Sequence, residues 1–201
     1  MRLLAIAVIL AGCADAEPPI RFDEAWPAQA PSSYDGTTAV WTRASQLHGQ
    51  YQEAVDLHAT FKSPDWRAAH AERVAAQRGL AGAARDQVVA QAQADMAGPY
   101  EFELMLTTWD RRENDLDRGQ KSVWHVALID DQGHEIAPIE IVKDRRPMYT
   151  LRAEFADIND FATAYVARFP RTMPVLGASV QTLRLRMSGE RGAVELVWTK
   201  N

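Results

Sequence analysis

The sequence predicts an α+β protein: an N-terminal helical hairpin of two to three helices packed on a C-terminal, antiparallel, seven-stranded β-sandwich of immunoglobulin-like type. Three observations predict it. Apolar residues recur at spacings of four and three before residue 98 and at spacings of two after it. About a hundred residues after that switch divide into seven short strands separated by turn signals. Two of those strands are apolar on both faces, so they need cover beyond a partner sheet. The resulting division is 1–12 signal segment, 13–36 tether, 37–98 helical segment and 99–201 sandwich.

The first element is a leader. Met1-Arg2 is a short positive segment, and Leu3 to Leu10 is an unbroken apolar run of eight residues, far too short to span a bilayer. It closes on Leu10-Ala11-Gly12-Cys13, which holds the only cysteine of the chain. This order resembles the lipobox of bacterial lipoproteins, with Leu, a small residue, Gly and Cys in a row. The resemblance covers the first 13 residues. It implies that the Cys13 thiol takes a diacylglycerol, that the signal is cut before Cys13, and that the new amino group is acylated. Two or three acyl chains give stable attachment where one does not. Ala14 follows the cysteine and Asp15 stands one place later. In lipoproteins of this kind, Asp directly after the cysteine retains the protein in the inner membrane. Its displacement favours the outer membrane with the body facing the periplasm.

Composition narrows the partners. The chain carries a formal net charge of −5, and removal of Arg2 with the signal makes it more acidic by one. An acidic chain without a basic tract argues against nucleic acid and against an electrostatic membrane patch. A single cysteine permits no internal disulfide, so stability must come from packing.

Residues 14–36 carry four prolines and little periodicity, as an extended tether does. Phe22 and Trp26 are unusual in a pure linker; they either dock it on the body or lie at the membrane interface. Residues 37–62 read as a helix, because Val40, Ala44, Leu47, Tyr51, Ala54, His58 and Phe61 form one seam. Ser63-Pro64-Asp65 is a restart signal: Ser63 caps, Pro64 suits the first helical position and Asp65 complements the dipole. A second helix runs from Pro64 to about Arg78. Gly79 and Gly82 interrupt it, each weakening a helix by roughly 1 kcal/mol relative to alanine. A third helix spans about Ala83 to Ala97 and stops at Gly98-Pro99.

From Tyr100 the alternation of Tyr100, Phe102, Leu104 and Leu106 with Glu101, Glu103 and Met105 marks a half-buried strand. Further strands are expected at 122–130, 135–143, 149–155, 160–169, 180–188 and 192–199. Turn signals at 131–133 and 189–192 predict two hairpins. The doubly apolar strands are 123–129 and 161–169. The helices are expected on the outer face of the sheet that holds them.

No catalytic residue and no metal site emerges. His48, His58, His70, His125 and His134 lack the i, i+4 spacing of a helical metal site, and no cysteine pair supplements them. No phosphate loop or nucleophile elbow is present. No cofactor is implied apart from the lipid on Cys13. The densest polar cluster is Asp110, Arg111, Arg112, Glu113, Asn114, Asp115 and Asp117, flanked by Trp109 and Trp124. Its oxygens suit calcium, but the order lacks the EF-hand pattern and two arginines oppose a cation. Trp and Arg are enriched in interface hot spots, and recognition sits on loops of rigid scaffolds. This cluster is therefore the candidate partner-binding loop, with Lys143-Asp144-Arg145-Arg146 next.

The expected function is a non-enzymatic, lipid-anchored envelope module that binds a protein or supports an assembly near the outer membrane. An immunity or inhibitor lipoprotein against an exported toxin and an envelope hydrolase are the alternatives. Two convergent carboxylates or histidines in a groove would favour the hydrolase. The body resembles no family with motif support. Its general form is similar to uncharacterised bacterial lipoproteins, which implies an address and no activity.

Overall fold

The structure is a computed structural model and describes residues 20–49, 53–155 and 158–200. Cys13 and the whole expected signal lie outside the described residues, as does Tyr51 of the expected seam.

The helical hairpin on a seven-stranded sandwich does not form. The segment read as one helix, 37–62, instead holds a short helix α1 (Tyr34–Trp41) and a β-hairpin, β1 (Thr42–His48) and β2 (Glu53–Phe61). The seam hid a second period: Val55, Leu57, Ala59 and Phe61 alternate with Asp56, His58 and Thr60. The apolar set pairs in register with Thr108, Leu106, Leu104 and Phe102 of β3 (Tyr100–Thr108). Local periodicity allowed both readings, and burial of β2 against β3 decided for the strand. Members of the expected seam now point apart. Phe61 is in the core, while His58 and Ala44 face each other across the outer side of the hairpin.

Helices α2 (Pro64–Gln77) and α3 (Ala83–Asp95) follow. Ser63 Oγ accepts from the Trp66 amide at 3.1 Å, with Pro64 in the first turn. Gly79 and Gly82 take positive φ of 63° and 55°, which turns the chain between the two helices at no steric cost.

After β3, two short 3₁₀ turns (Arg111–Glu113 and Leu116–Lys121) lead to β4 (Trp124–Ile129) and β5 (Glu135–Ile136). The expected strand 135–143 is broken after Ile136, since Pro138 lacks a ladder donor. The chain crosses there to the other sheet as β6 (Glu140–Lys143). The expected strand 149–155 is a helix, α4 (Met148–Glu154), opened by Pro147, whose carbonyl accepts from the Leu151 amide at 3.2 Å. The chain ends with β7 (Thr163–Phe169), β8 (Thr182–Gly189) and β9 (Gly192–Thr199).

The sheets are ordered β1-β2-β3-β7-β6 and β5-β4-β8-β9, antiparallel throughout. Their inner faces meet in one core. Phe102 stacks on Phe61 at 4.7 Å and lies 5.6 Å from Trp198 of the opposite sheet. Trp198 Nε1 donates to the Trp41 carbonyl at 3.0 Å, which fixes α1 over the same core.

The doubly apolar segments belong to different sheets, β7 to the larger and β4 to the smaller. Helix α2 covers the larger sheet, where its Arg67 pairs with Glu101 of β3 at 2.7 Å. On β4, Ala127 and Ile129 are buried and stand in register with Arg186 and Arg184.

Core position has a measurable consequence. Phe61→Ala is expected to lower unfolding free energy in urea by about 3–5 kcal/mol. Tyr149→Ala, at a residue 77 % exposed, should change it by no more than about 0.5 kcal/mol. A loss under about 1 kcal/mol at Phe61 would remove that residue from the core.

Candidate functional site

Both sheets share one polarity. The Val55/Thr108 end of the larger sheet and the Trp124/Gly189/Gly192 end of the smaller lie at the same pole, because residues 109–123 connect β3 to β4 there. This connection is tightly held. The Trp109 amide donates to the Ala54 carbonyl at 3.1 Å. Asn114 Nδ2 donates to the Leu106 carbonyl at 2.8 Å, and the buried Tyr165 hydroxyl donates to Asn114 Oδ1 at 2.7 Å. Trp124 Nε1 donates to the Glu113 carbonyl at 2.8 Å. Asp115 Oδ1 accepts from the Ser122 hydroxyl at 2.8 Å and the Val123 amide at 3.2 Å.

Beside this loop lies a groove of about 750 Å³, walled by Trp109, Arg111 and Phe161, with Thr107, Thr108, Thr163, Asn114 and Lys143 around its floor and rim. Trp109 is 67 % exposed and Phe161 66 %, unusual for rings of that size. The Arg111 guanidinium lies 5.8 Å from the Phe161 ring centre, in cation–π range. Among the described residues Arg111 makes no ion pair, whereas Lys143 pairs with Asp117 at 3.3 Å. The groove therefore offers two aromatic faces, the Arg111 guanidinium and the Asp160 carboxylate, which pairs with Arg152, on a rigid frame.

The predicted loop residues divide into three sets. Trp109, Arg111 and Asn114 line the groove. Asp110, Arg112, Glu113 and Asp117 hold its margin through ion pairs: Arg112 clamps both oxygens of Asp110, and Arg191 reaches Glu113 at 2.7 Å. The Arg112 guanidinium keeps the Asp110 carboxyl below its usual range. Asp115 and Trp124 are buried supports and do not reach the groove. Among the described residues no group of three His, Cys, Asp or Glu is placed to hold a metal ion.

Phe161 was missed as a site residue, since the expected strand 160–169 placed it on a strand face. The strand begins at Thr163, and Phe161 projects from the turn before it, where Asn159 Oδ1 accepts its amide at 2.8 Å. Asn159-Asp160 was the available signal for that turn.

A second polar cluster lies between the larger sheet and the helices. The Glu103 side chain, on the outer face of β3, is 0 % exposed. Lys62 Nζ approaches Oε2 at 3.0 Å and Arg146 at 3.6 Å, yet neither oxygen has a well-directed hydrogen bond. Arg146 also pairs with Asp144 and Glu154, and His70 lies 3.6 Å from Glu154. The adjoining cavity, about 330 Å³, is lined by His70, Glu101, Asp144, Glu154 and their arginines. Carboxylates and a histidine thus converge, the arrangement that would favour a hydrolase. Three of these carboxyls are held in the ionised form. Against the upward push of burial, the surrounding cations hold Glu101, Asp144 and Glu154 below the ordinary carboxylate range. Glu103, raised to about 7 by burial against the pull of Lys62, does not line the cavity. A general acid must reach the atom it protonates.

No family model, no curated protein and no solved structure matches the chain.

Glu103 makes stability depend on pH. Burial raises its carboxyl from 4.5 to about 7, so the native state binds the proton more tightly than the unfolded chain. The associated stability is fully present below the unfolded value and is lost as pH rises through the folded one. Glu103→Gln removes this titration. From about pH 5 to about pH 8, the variant should gain on the order of 2–3 kcal/mol relative to the parent in denaturant unfolding. A difference that stays constant across that range would contradict the assignment.

Proposed function

We propose that this chain is a lipid-anchored envelope protein whose body is a non-enzymatic module that binds a protein partner through the Trp109–Phe161 groove. Cys13 carries the lipid, and the body faces the periplasm from the outer membrane. The observation that carries the reading is the pair of large aromatic rings left exposed beside an unpaired arginine on a rigid loop. Interface energy concentrates in Trp, Tyr and Arg, and ordered surface aromatics are expensive to leave in water without a use. The groove is concave and mixed in polarity, with polar groups that can set the orientation of what it holds. Support for the address comes from the run Leu10-Ala11-Gly12-Cys13 behind its apolar segment. Among the described residues no helix is long and apolar enough to cross a membrane.

The test places a photocrosslinking side chain at Thr163, on the groove floor, in full-length protein in its native envelope. A discrete crosslinked protein species is expected. Trp109→Ala or Phe161→Ala should reduce its yield about tenfold or more, as loss of a hot spot does. Neither change should move the unfolding midpoint appreciably, since both rings are exposed. The absence of any discrete species, or one indifferent to both substitutions, would overturn the groove as a recognition face. Intact mass of the purified protein tests the anchor separately: Cys13→Ala behind a replacement cleavable signal should lack the lipid mass.

A further inference from the structure

Which end of the molecule meets the membrane rests on the proposed lipid at Cys13 and on the residues that dock behind it. The sequence assigns residues 13–36 to an extended tether. If that whole segment were free, its contour length would let the body stand about 80 Å from its anchor. The structure shortens it. Ile20 is buried and bridges Lys200, beside the end of β9. Phe22 is buried, lies edge-on to Trp41 at 6.1 Å, and its carbonyl accepts from the Gly177 amide at 2.6 Å. Trp26 and the residues after it then lie along α2 and α3, beside Ala68 and Val89. Only residues 14–19 separate Cys13 from the first docked side chain. Seven peptide steps reach about 25 Å at full extension, whatever path they take.

The docking point also has a definite place in the fold. Thr182, Thr199 and Lys200 mark one pole, where the Asp131 carboxylate accepts from the Gln181 amide at 2.9 Å. From there β8 and β9 run to Gly189 and Gly192 at the other pole, where Arg191 holds Glu113 of the groove loop. Eight strand residues separate the poles, a distance of about 25 Å. The larger sheet agrees: Phe61, beside Trp41, is at the docking pole, and Thr108 is at the groove.

We infer that the Ile20–Lys200 pole faces the lipid bilayer at close range and that the Trp109–Phe161 groove is presented away from it. The occupant of the docking pole is a lipid headgroup surface. Arg21, Arg171 and Lys200 stand there with Asp23, Glu24 and Asp131, so the charge is mixed and covalent length sets the separation. A partner then meets the groove from the periplasmic side, within about 50 Å of the membrane.

Full-length lipidated protein in phosphatidylethanolamine–phosphatidylglycerol vesicles tests this, with a headgroup energy-transfer acceptor in the lipid. Donors are attached singly at Ser179→Cys, exposed at the docking pole, and Glu190→Cys, exposed at the groove pole. The lipid blocks Cys13, so only the introduced thiol labels. Transfer from position 179 should exceed that from 190 several-fold. Inserting twenty Gly-Ser residues after Ala16 should lower transfer from 179 at least twofold, because such a linker adds about 25 Å of typical reach. Equal transfer from the two positions, or more from 190, overturns the orientation while leaving the anchor intact. Protein that carries no lipid by intact mass and stays off the vesicles refutes the anchor, and the orientation falls with it.

Discussion

The contact on which the rest of the molecule depends is the aromatic junction between the two sheets. Phe61, Phe102 and Trp198 meet there, and Trp41 closes it from α1. Each ring buries a large apolar area, and the edge-on and stacked arrangements add a directional preference. The junction draws β2 into the larger sheet, which makes a hairpin of a segment that could otherwise be helical. It also gives the sheets a common polarity. With Phe61 and Trp198 joined at one pole, Thr108 and Gly189 must emerge together at the other. The groove and the docking point are separated because of that alignment.

Cover over the larger sheet follows a different logic. The inner faces are mostly apolar, Arg43 and Thr108 among the exceptions, but the outer face carries Glu101, Glu103 and Arg168 under α2 and α4. Burying charge costs free energy unless partners compensate it. Most of this layer is compensated: Arg67 and Arg168 hold Glu101, and Arg146 holds Asp144 and Glu154. Glu103 is the exception, with close cations but no directed hydrogen bond, and its carboxyl is shifted accordingly. The helices are thus held by ion pairs and a few aromatic contacts, such as Trp66 stacked parallel to Phe155 at 5.9 Å. Helix α3 buries no residue and packs chiefly on α2.

The groove inverts that arrangement. Most of its loop's charges are paired, Asp110 with Arg112 inside the loop, Glu113 with Arg191 and Asp117 with Lys143 outside it. In the groove lining, Arg111 lies beside Phe161 without an ion pair, and Trp109 lines the same groove. A rigid margin and an unsatisfied centre are the physical signature of recognition, because the frame loses little entropy when the centre is filled. Its place at the pole opposite Ile20 and Lys200 would give the proposed binding face free access if the proposed lipid tether holds the other pole to a membrane.

Residues alone determined the features that depend on linear order. The proposed lipobox, Leu10-Ala11-Gly12-Cys13, is read from linear order and composition alone. Ser63-Pro64-Asp65 starts a helix and the turn at 189–192 closes a hairpin because capping and turn chemistry act within a few residues. The candidate loop stood out for the same reason, as a local concentration of charge beside tryptophan. Tertiary structure decided whatever two periodicities could both describe. Residues 53–61 and 149–155 each fit helix and strand, and the choice fell to what lay opposite: β3 for the first, α1 and α2 for the second. It also brought Phe161 to Trp109 and carried Ile20 to Lys200, joining residues far apart in the chain. Local sequence carries no record of such meetings, since their free energy comes from surfaces that exist only after the chain has folded.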